Sequence, residues 1–119
     1  MKEKVLKYLY DIKLAIGEID SFFESQPRNY ENYIQNPLLK RAIERNLEII
    51  GEATKRIPES VRQTYPAVPW RAMAGMRDKL IHDYMVVELA VVWKTATEDI
   101  PTLRTLLHQI HSEIQSSPE

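Results

Sequence analysis

The chain has 119 residues, enough for one domain with a modest core. Hydrophobic residues at 44% and charged residues at 28% are an ordinary globular balance, and a net charge of -1 argues against a non-specific nucleic-acid coat, though not against a site that grips one phosphate. The absence of cysteine excludes disulfides, thiol catalysis and cysteine metal sites, and three dispersed glycines argue against a phosphate-cradling loop.

The opening MKEKVLKYLY is charged and lacks the apolar core of a signal peptide. No run approaches the ~18 apolar residues of a membrane span. The expectation is a soluble, cytoplasmic protein without a membrane partner. There is no internal repeat and no low-complexity segment.

Residues 2–25 form the first periodic block. Val5, Leu9, Ile12, Ile16, Ile19 and Phe23 recur at alternating helical steps and mark one apolar face. SQPRNYENYIQNP then interrupts the pattern and reads as a connection holding one short helical turn. A second block spans 37–57, with Pro37 in its first turn and Leu39, Ile43, Ile50, Ala53 and Ile57 on its stripe. Asn46 occupies a slot on that stripe, either as a buried amide or as a polar group reaching a cleft. Gly51 falls inside this helix at a cost of about 1 kcal/mol; a closely packed neighbouring helix would explain it.

PESVRQTYP predicts a short helix begun by Pro58 and ended before Pro66. AVP is a bend anchored by Trp70, and Pro69 opens the next helix at WRAMAGMRDKLIHDY. In the last block Leu89, Trp93, Ala96, Ile100, Leu103, Leu107, Ile110 and Ile114 alternate steps of four and three. Pro101 inside it should kink or restart the helix. Long amphipathic helices with no strand-like alternation predict an all-α antiparallel helical bundle, three long helices plus shorter ones, crossing at shallow angles.

The segment RDKLIHDY, residues 77–84, concentrates the chemistry. With Leu80 as reference and about 100° per residue, Met73, Met76, Tyr84 and Val87 fall within about 40° of the core direction. Arg77 sits about 60° to one side, and Asp78 and His82, four apart, point away from the core. On this projection Asp78 can hold the His82 ring and favour its protonated form. Arg77 lies about 140° around the helix from His82, so a leaning guanidinium or a second chain has to complete any joint site. The plain alternative is a solvated helix face with two helix salt bridges.

Arg77, four intervening residues, His82, one residue and Tyr84 resemble the signature of HEPN-domain toxins of the HepT family. RNLEIIGEATKRIP (45–58), YPAVPWRAMAGMRDKLIHDY (65–84) and VVWKTATEDIPTLR (91–104) resemble HepT-like proteins too. The likeness runs from about residue 38 to 107. Where relatives often carry glycine soon after the tyrosine, this chain reads YMVVEL.

The resemblance implies one HEPN-like helical domain, set at residues 1–115, and SSPE at 116–119 reads as a flexible tail. It implies a homodimer in which the motifs of both copies face a shared cleft. It further implies a metal-independent endoribonuclease, the toxin of a type VII-like toxin–antitoxin pair, with no cofactor. The antitoxin would be a cognate minimal nucleotidyltransferase that silences the toxin by adding AMP to Tyr84. In that chemistry His82 is the base, because its ordinary pKa suits neutral pH. Arg77, always protonated, holds the phosphate. Asp78, Asn46 and Arg45 are the candidate supporting residues, with Glu48 and Glu52 nearby. Tyr84 is otherwise a core aromatic with its hydroxyl at the rim.

His108 and His111, three apart, have the spacing of two metal ligands, but no third ligand is evident in the sequence and an incidental exposed pair is the simpler reading. Two further functional readings stay open. One is a non-catalytic module that holds a nucleotide or RNA phosphate for a nucleotidyltransferase. The other is a purely structural dimerising bundle.

Overall fold

The computed structural model describes residues 2–118. The helices are α1 (Lys2–Ser21), α2 (Tyr30–Gln35), α3 (Pro37–Arg56), α4 (Glu59–Thr64), α5 (Trp70–His82), α6 (Leu89–Lys94) and α7 (Ile100–Ser116). A 3-10 turn spans Tyr84–Val86 and a π-helical stretch, Thr95–Asp99, joins α6 to α7. No strand occurs among the described residues, so the fold is an all-α bundle. None of the described helices is long and apolar enough to cross a membrane.

The apolar stripes close on one core. Val5, Leu9, Ile12, Ile16 and Ile19 of α1 are buried against Leu39, Ile43, Leu47, Ile50 and Ala53 of α3 and Ile100, Leu103, Leu107 and Ile110 of α7. Burying a side chain of this size stabilises by about 1.5–3 kcal/mol before the entropy of ordering it is charged against it. α3 is central, with α1 on one side and α5 on the other.

Local chemistry sets the helix ends. Asn29 and Asn36 cap α2 and α3, their side-chain oxygens accepting from Asn32 N at 2.8 Å and Leu39 N at 3.0 Å. Pro37 opens α3, where its missing N–H costs nothing. Trp70 fixes the bend before α5, its indole N–H donating to the Tyr65 carbonyl at 3.0 Å.

One expectation needs amendment and another takes a particular form. The first block ends as a helix at Ser21, and Phe23 packs on the core from a turn, edge-on to Trp93. Pro101 stands where α7 starts, in its first turn, so the expected restart takes the form of a π stretch followed by a new α-helical run. The π stretch immediately before it, in which the Ile100 N–H bonds to the Thr95 carbonyl, absorbs the ring and the missing donor, and α7 runs on to Ser116. Of the tail expected at 116–119, the Ser117 carbonyl accepts from Lys2 Nζ at 2.8 Å. Met1 and Glu119, the outer limits of the expected domain and tail, lie outside the described residues.

Candidate functional site

The contact between α3 and α5 organises the site. A Cβ on Gly51 would lie 2.3 Å from Arg77 Cβ, 3.2 Å from Arg77 Cγ and 2.7 Å from the Met73 carbonyl oxygen. Only glycine allows the two helices this close, which is the packing reason for a glycine in mid-helix. The approach lays the Arg77 side chain along α3 with 18% of it exposed.

Two carboxylates hold its guanidinium. Arg77 Nη2 donates to Glu52 Oε2 at 3.2 Å and Nη1 to Asp78 Oδ1 at 3.0 Å, while Nε is buried without an acceptor. Asp78 also accepts from Lys55 Nζ at 2.9 Å. Hydrogen bonds from Lys55 and then Arg77 hold the Asp78 carboxyl below its ordinary value. The expected Asp78–His82 contact therefore does not form, because the carboxylate turns back toward α3.

Beside Arg77 a groove of about 350 Å³ runs between α1, α3 and α5. Its cations are Arg45, Arg56 and Arg77, and its apolar wall includes Tyr8, Ile49 and Ile81. Each of these arginines faces a glutamate: Arg45 meets Glu48 at 3.4 Å, and Glu52 lies between Arg56 and Arg77. Arg45 thus joins Arg77 in one groove. Asn46 does not. It is buried, its amide nitrogen donating to the Ala42 carbonyl at 3.0 Å and to Glu18 Oε1 at 3.4 Å, its Oδ1 without a donor. It is the buried amide of the two readings.

His82 closes α5. Its side chain is exposed and makes no hydrogen bond or ion pair among the described residues. It does not line the groove that holds Arg77. No hydrogen bond within the chain joins the imidazole to the guanidinium.

Tyr84 departs from the projection that placed it on the core stripe. α5 ends at His82 and Asp83 adopts φ -130°, ψ 37°. The 3-10 turn then swings Tyr84 outward, 49% exposed, beside Met85 and Val86, which are more exposed still. The turn closes with Val87 N donating to the Tyr84 carbonyl at 3.2 Å, and no described non-glycine residue has a positive φ. YMVVEL therefore forms this turn without a glycine.

The Tyr84 hydroxyl donates to Glu44 Oε1 at 3.0 Å. Glu44 is a buried carboxylate on α3, 6% exposed, and burial is the main cause raising its pKa. In turn the hydrogen bond to Glu44 raises the Tyr84 phenol, ahead of desolvation. Glu44 was not singled out from the sequence. The available signal was its position one heptad before Gly51, on the face that the glycine marks as closely approached.

His108 and His111 sit far from this region in sequence, lining a second groove with Tyr10 and Arg104. Among the described residues no third side chain completes a metal-holding group with them.

Residues 12–110 match the family described as Ribonuclease HepT-like. "Probable ribonuclease HepT" of Thermococcus cleftensis is 45% identical over 104 residues, covering 87% of this chain and 93% of that one. "Putative RNase MJ1216" of Methanocaldococcus jannaschii is 40% identical over 118 residues, covering 99% of this chain and 96% of its own. The same archaeon's "Gamma-glutamylcyclotransferase and putative RNase MJ0434" matches 98% of this chain at 32% identity over 52% of its own length. No solved structure matches the chain.

Proposed function

The chain belongs to the ribonuclease HepT-like family, and from that premise we propose that it is an endoribonuclease that cuts RNA through the 2′-hydroxyl without a metal ion. The observation that supports this most is the setting of Arg77. Its guanidinium is fixed in a groove by the α3–α5 approach and two carboxylates, five residues before an exposed and unpaired His82.

In the reaction His82 takes the proton of the 2′-hydroxyl. The oxygen attacks the adjacent phosphorus, a bond to phosphorus forms, and the bond to the 5′-oxygen breaks. Arg77 exchanges a carboxylate for the phosphate and stabilises the charge that builds on its oxygens. A proton must reach the departing 5′-oxygen, and one imidazole cannot conveniently give and take at once. A homodimer supplies the second His82. It also brings the exposed imidazole of one copy to the guanidinium of the other, which a single chain does not do. The products are a 2′,3′-cyclic phosphate and a 5′-hydroxyl, and DNA is not a substrate.

The chain acts as the toxin of a toxin–antitoxin pair in the cytoplasm. A partner nucleotidyltransferase silences it by placing AMP on Tyr84. The exposure of that tyrosine, outside the core and one residue beyond Asp83, supports the reading. An RNA oligonucleotide and its 2′-deoxy counterpart, incubated with the purified chain and a chelator, test the activity. RNA cut to cyclic-phosphate ends with intact DNA is expected. Cleavage of both, or cleavage abolished by the chelator, overturns the mechanism.

A further inference from the structure

Six tyrosines are present and their surroundings differ in kind. Tyr10 is 53% exposed and has no carboxylate partner among the described residues. Tyr33 is buried in α2, stacked on Trp93 with ring centroids 5.1 Å apart, its hydroxyl without a partner. Tyr65 donates to Glu113, but that carboxylate stands in solvent. Only Tyr84 among them combines an exposed ring with a hydroxyl held by a buried carboxylate, Glu44.

A buried carboxylate is expensive to keep ionised unless something uses or compensates it. No salt bridge to Glu44 forms among the described residues, and the Tyr84 hydroxyl is its hydrogen-bond donor. A phenol is a weak nucleophile while protonated, and general bases raise its reactivity by taking the proton as the new bond forms. Geometry comes first in recognising such a base, and 3.0 Å from oxygen to oxygen is within reach.

We infer that Glu44 is a general base built into this chain that activates Tyr84 toward phosphoryl electrophiles, so that the chain contributes its own catalytic group to its modification. The inference rests on the reading that Tyr84 is the modified residue and goes beyond it in assigning the proton's destination. The Tyr84 oxygen attacks the α-phosphorus of a nucleoside triphosphate, and an oxygen–phosphorus bond forms. The phosphorus–oxygen bond to the leaving pyrophosphate breaks, and the phenolic proton passes to Glu44 Oε1. No other reactant is needed.

The surroundings suit the role. Burial favours a more basic carboxylate, and Lys40 and Arg41 on α3 oppose it only in part. The groups facing Glu44 are Tyr84 from the turn, Tyr33 from α2, and Lys40, Arg41 and Glu48 from its own helix. Because the Tyr84 phenol is raised at rest, no phenolate waits at neutral pH, and the proton leaves only as an electrophile arrives.

An aryl sulfonyl fluoride tests this without RNA or a partner, because it forms an oxygen–sulfur bond with tyrosine as fluoride leaves. On the full chain, peptide masses should show Tyr84 labelled faster than the equally exposed Tyr10. Glu44→Gln keeps a hydrogen-bond acceptor but not a proton acceptor, and should slow Tyr84 labelling by about tenfold or more. Glu44→Asp should recover part of the rate. The wild-type rate should rise with pH as Glu44 ionises and then level off, whereas that of Glu44→Gln should keep climbing with hydroxide. Labelling of Tyr84 at wild-type rate in Glu44→Gln, with helicity unchanged, overturns the inference alone. A second arm supplies ATP, magnesium and the cognate minimal nucleotidyltransferase of the proposed pair; Tyr84 left unmodified in the wild type there overturns the modification itself, and Glu44's part with it.

Discussion

Gly51 and Arg77 touch across the α3–α5 contact so closely that a single added methyl on the glycine would sit 2.3 Å from Arg77 Cβ. The neighbours in the way are backbone and the stem of Arg77 rather than a flexible tip, so they cannot step aside cheaply. Gly51→Ala should destabilise the chain by about 1–3 kcal/mol, the usual cost of overpacking, despite alanine's better helix propensity. It should also displace Arg77 and lower cleavage. Denaturant unfolding and an RNA assay on the same sample check both effects; a variant as stable and active as the wild type would show that the contact does not matter.

His82 and Arg77 should fail in different ways. His82 is exposed and unpaired, so His82→Ala should abolish cleavage with stability changed by less than about 0.5 kcal/mol. Arg77→Lys keeps the charge but not the two-pronged grip, and should cost about a hundredfold or more in cleavage rate. Single-turnover kinetics beside thermal unfolding separate the two.

Glu52 occupies one arm of the guanidinium that the proposed mechanism gives to a phosphate, at 3.2 Å from Arg77 Nη2. Glu52→Gln removes the competing charge and should tighten RNA binding several-fold, with a steeper dependence on salt. Fluorescence anisotropy over a salt series reads this out. Weaker binding would mean that Glu52 is needed chiefly to position Arg77.

Glu44 makes stability depend on pH in a definite direction. Its carboxyl is raised in the folded chain above the ordinary 4.5, chiefly by burial. The stabilisation linked to such a group is fully present below the unfolded value and is lost as pH rises through the folded one. Glu44→Gln should therefore melt higher than the wild type at neutral pH, the gain fading as pH falls through the raised folded value and gone below about 4.5. A gain that persists unchanged in acid would point to a packing effect instead.

Much of the bundle is legible in the sequence, because an apolar stripe at helical spacing reports both the helix and its buried face. Ile12, Ile43 and Ile100 fall where their spacing puts them. Gly51 could be read as a mark of close packing for the same reason. Tyr84 could not be placed this way: no glycine or proline announces that α5 stops at His82, and one changed backbone angle at Asp83 invalidates every later position on the projection. Glu44 reads as an ordinary charged residue on a stripe's edge until the turn carrying Tyr84 covers it. Asp78 looks like a partner of His82 until Lys55, 23 residues away on another helix, is seen to reach it. The meeting of Arg77 with His82 is not written in one chain's periodicity, since the proposed meeting is between two.

That meeting is tested most directly by mixing two inactive proteins. Arg77→Ala and His82→Ala should each be inactive, but in the proposed dimer a mixed pair would hold one intact Arg77 and one intact His82 in the shared cleft. After subunit exchange by mild unfolding and refolding together, cleavage should rise above that of either variant alone, but stay below about a quarter of the wild-type level even with statistical mixing, because the mixed dimer keeps only one of the two imidazoles. Activity no higher than that of the separate variants, in a sample shown to contain mixed dimers, would contradict a site shared between two copies.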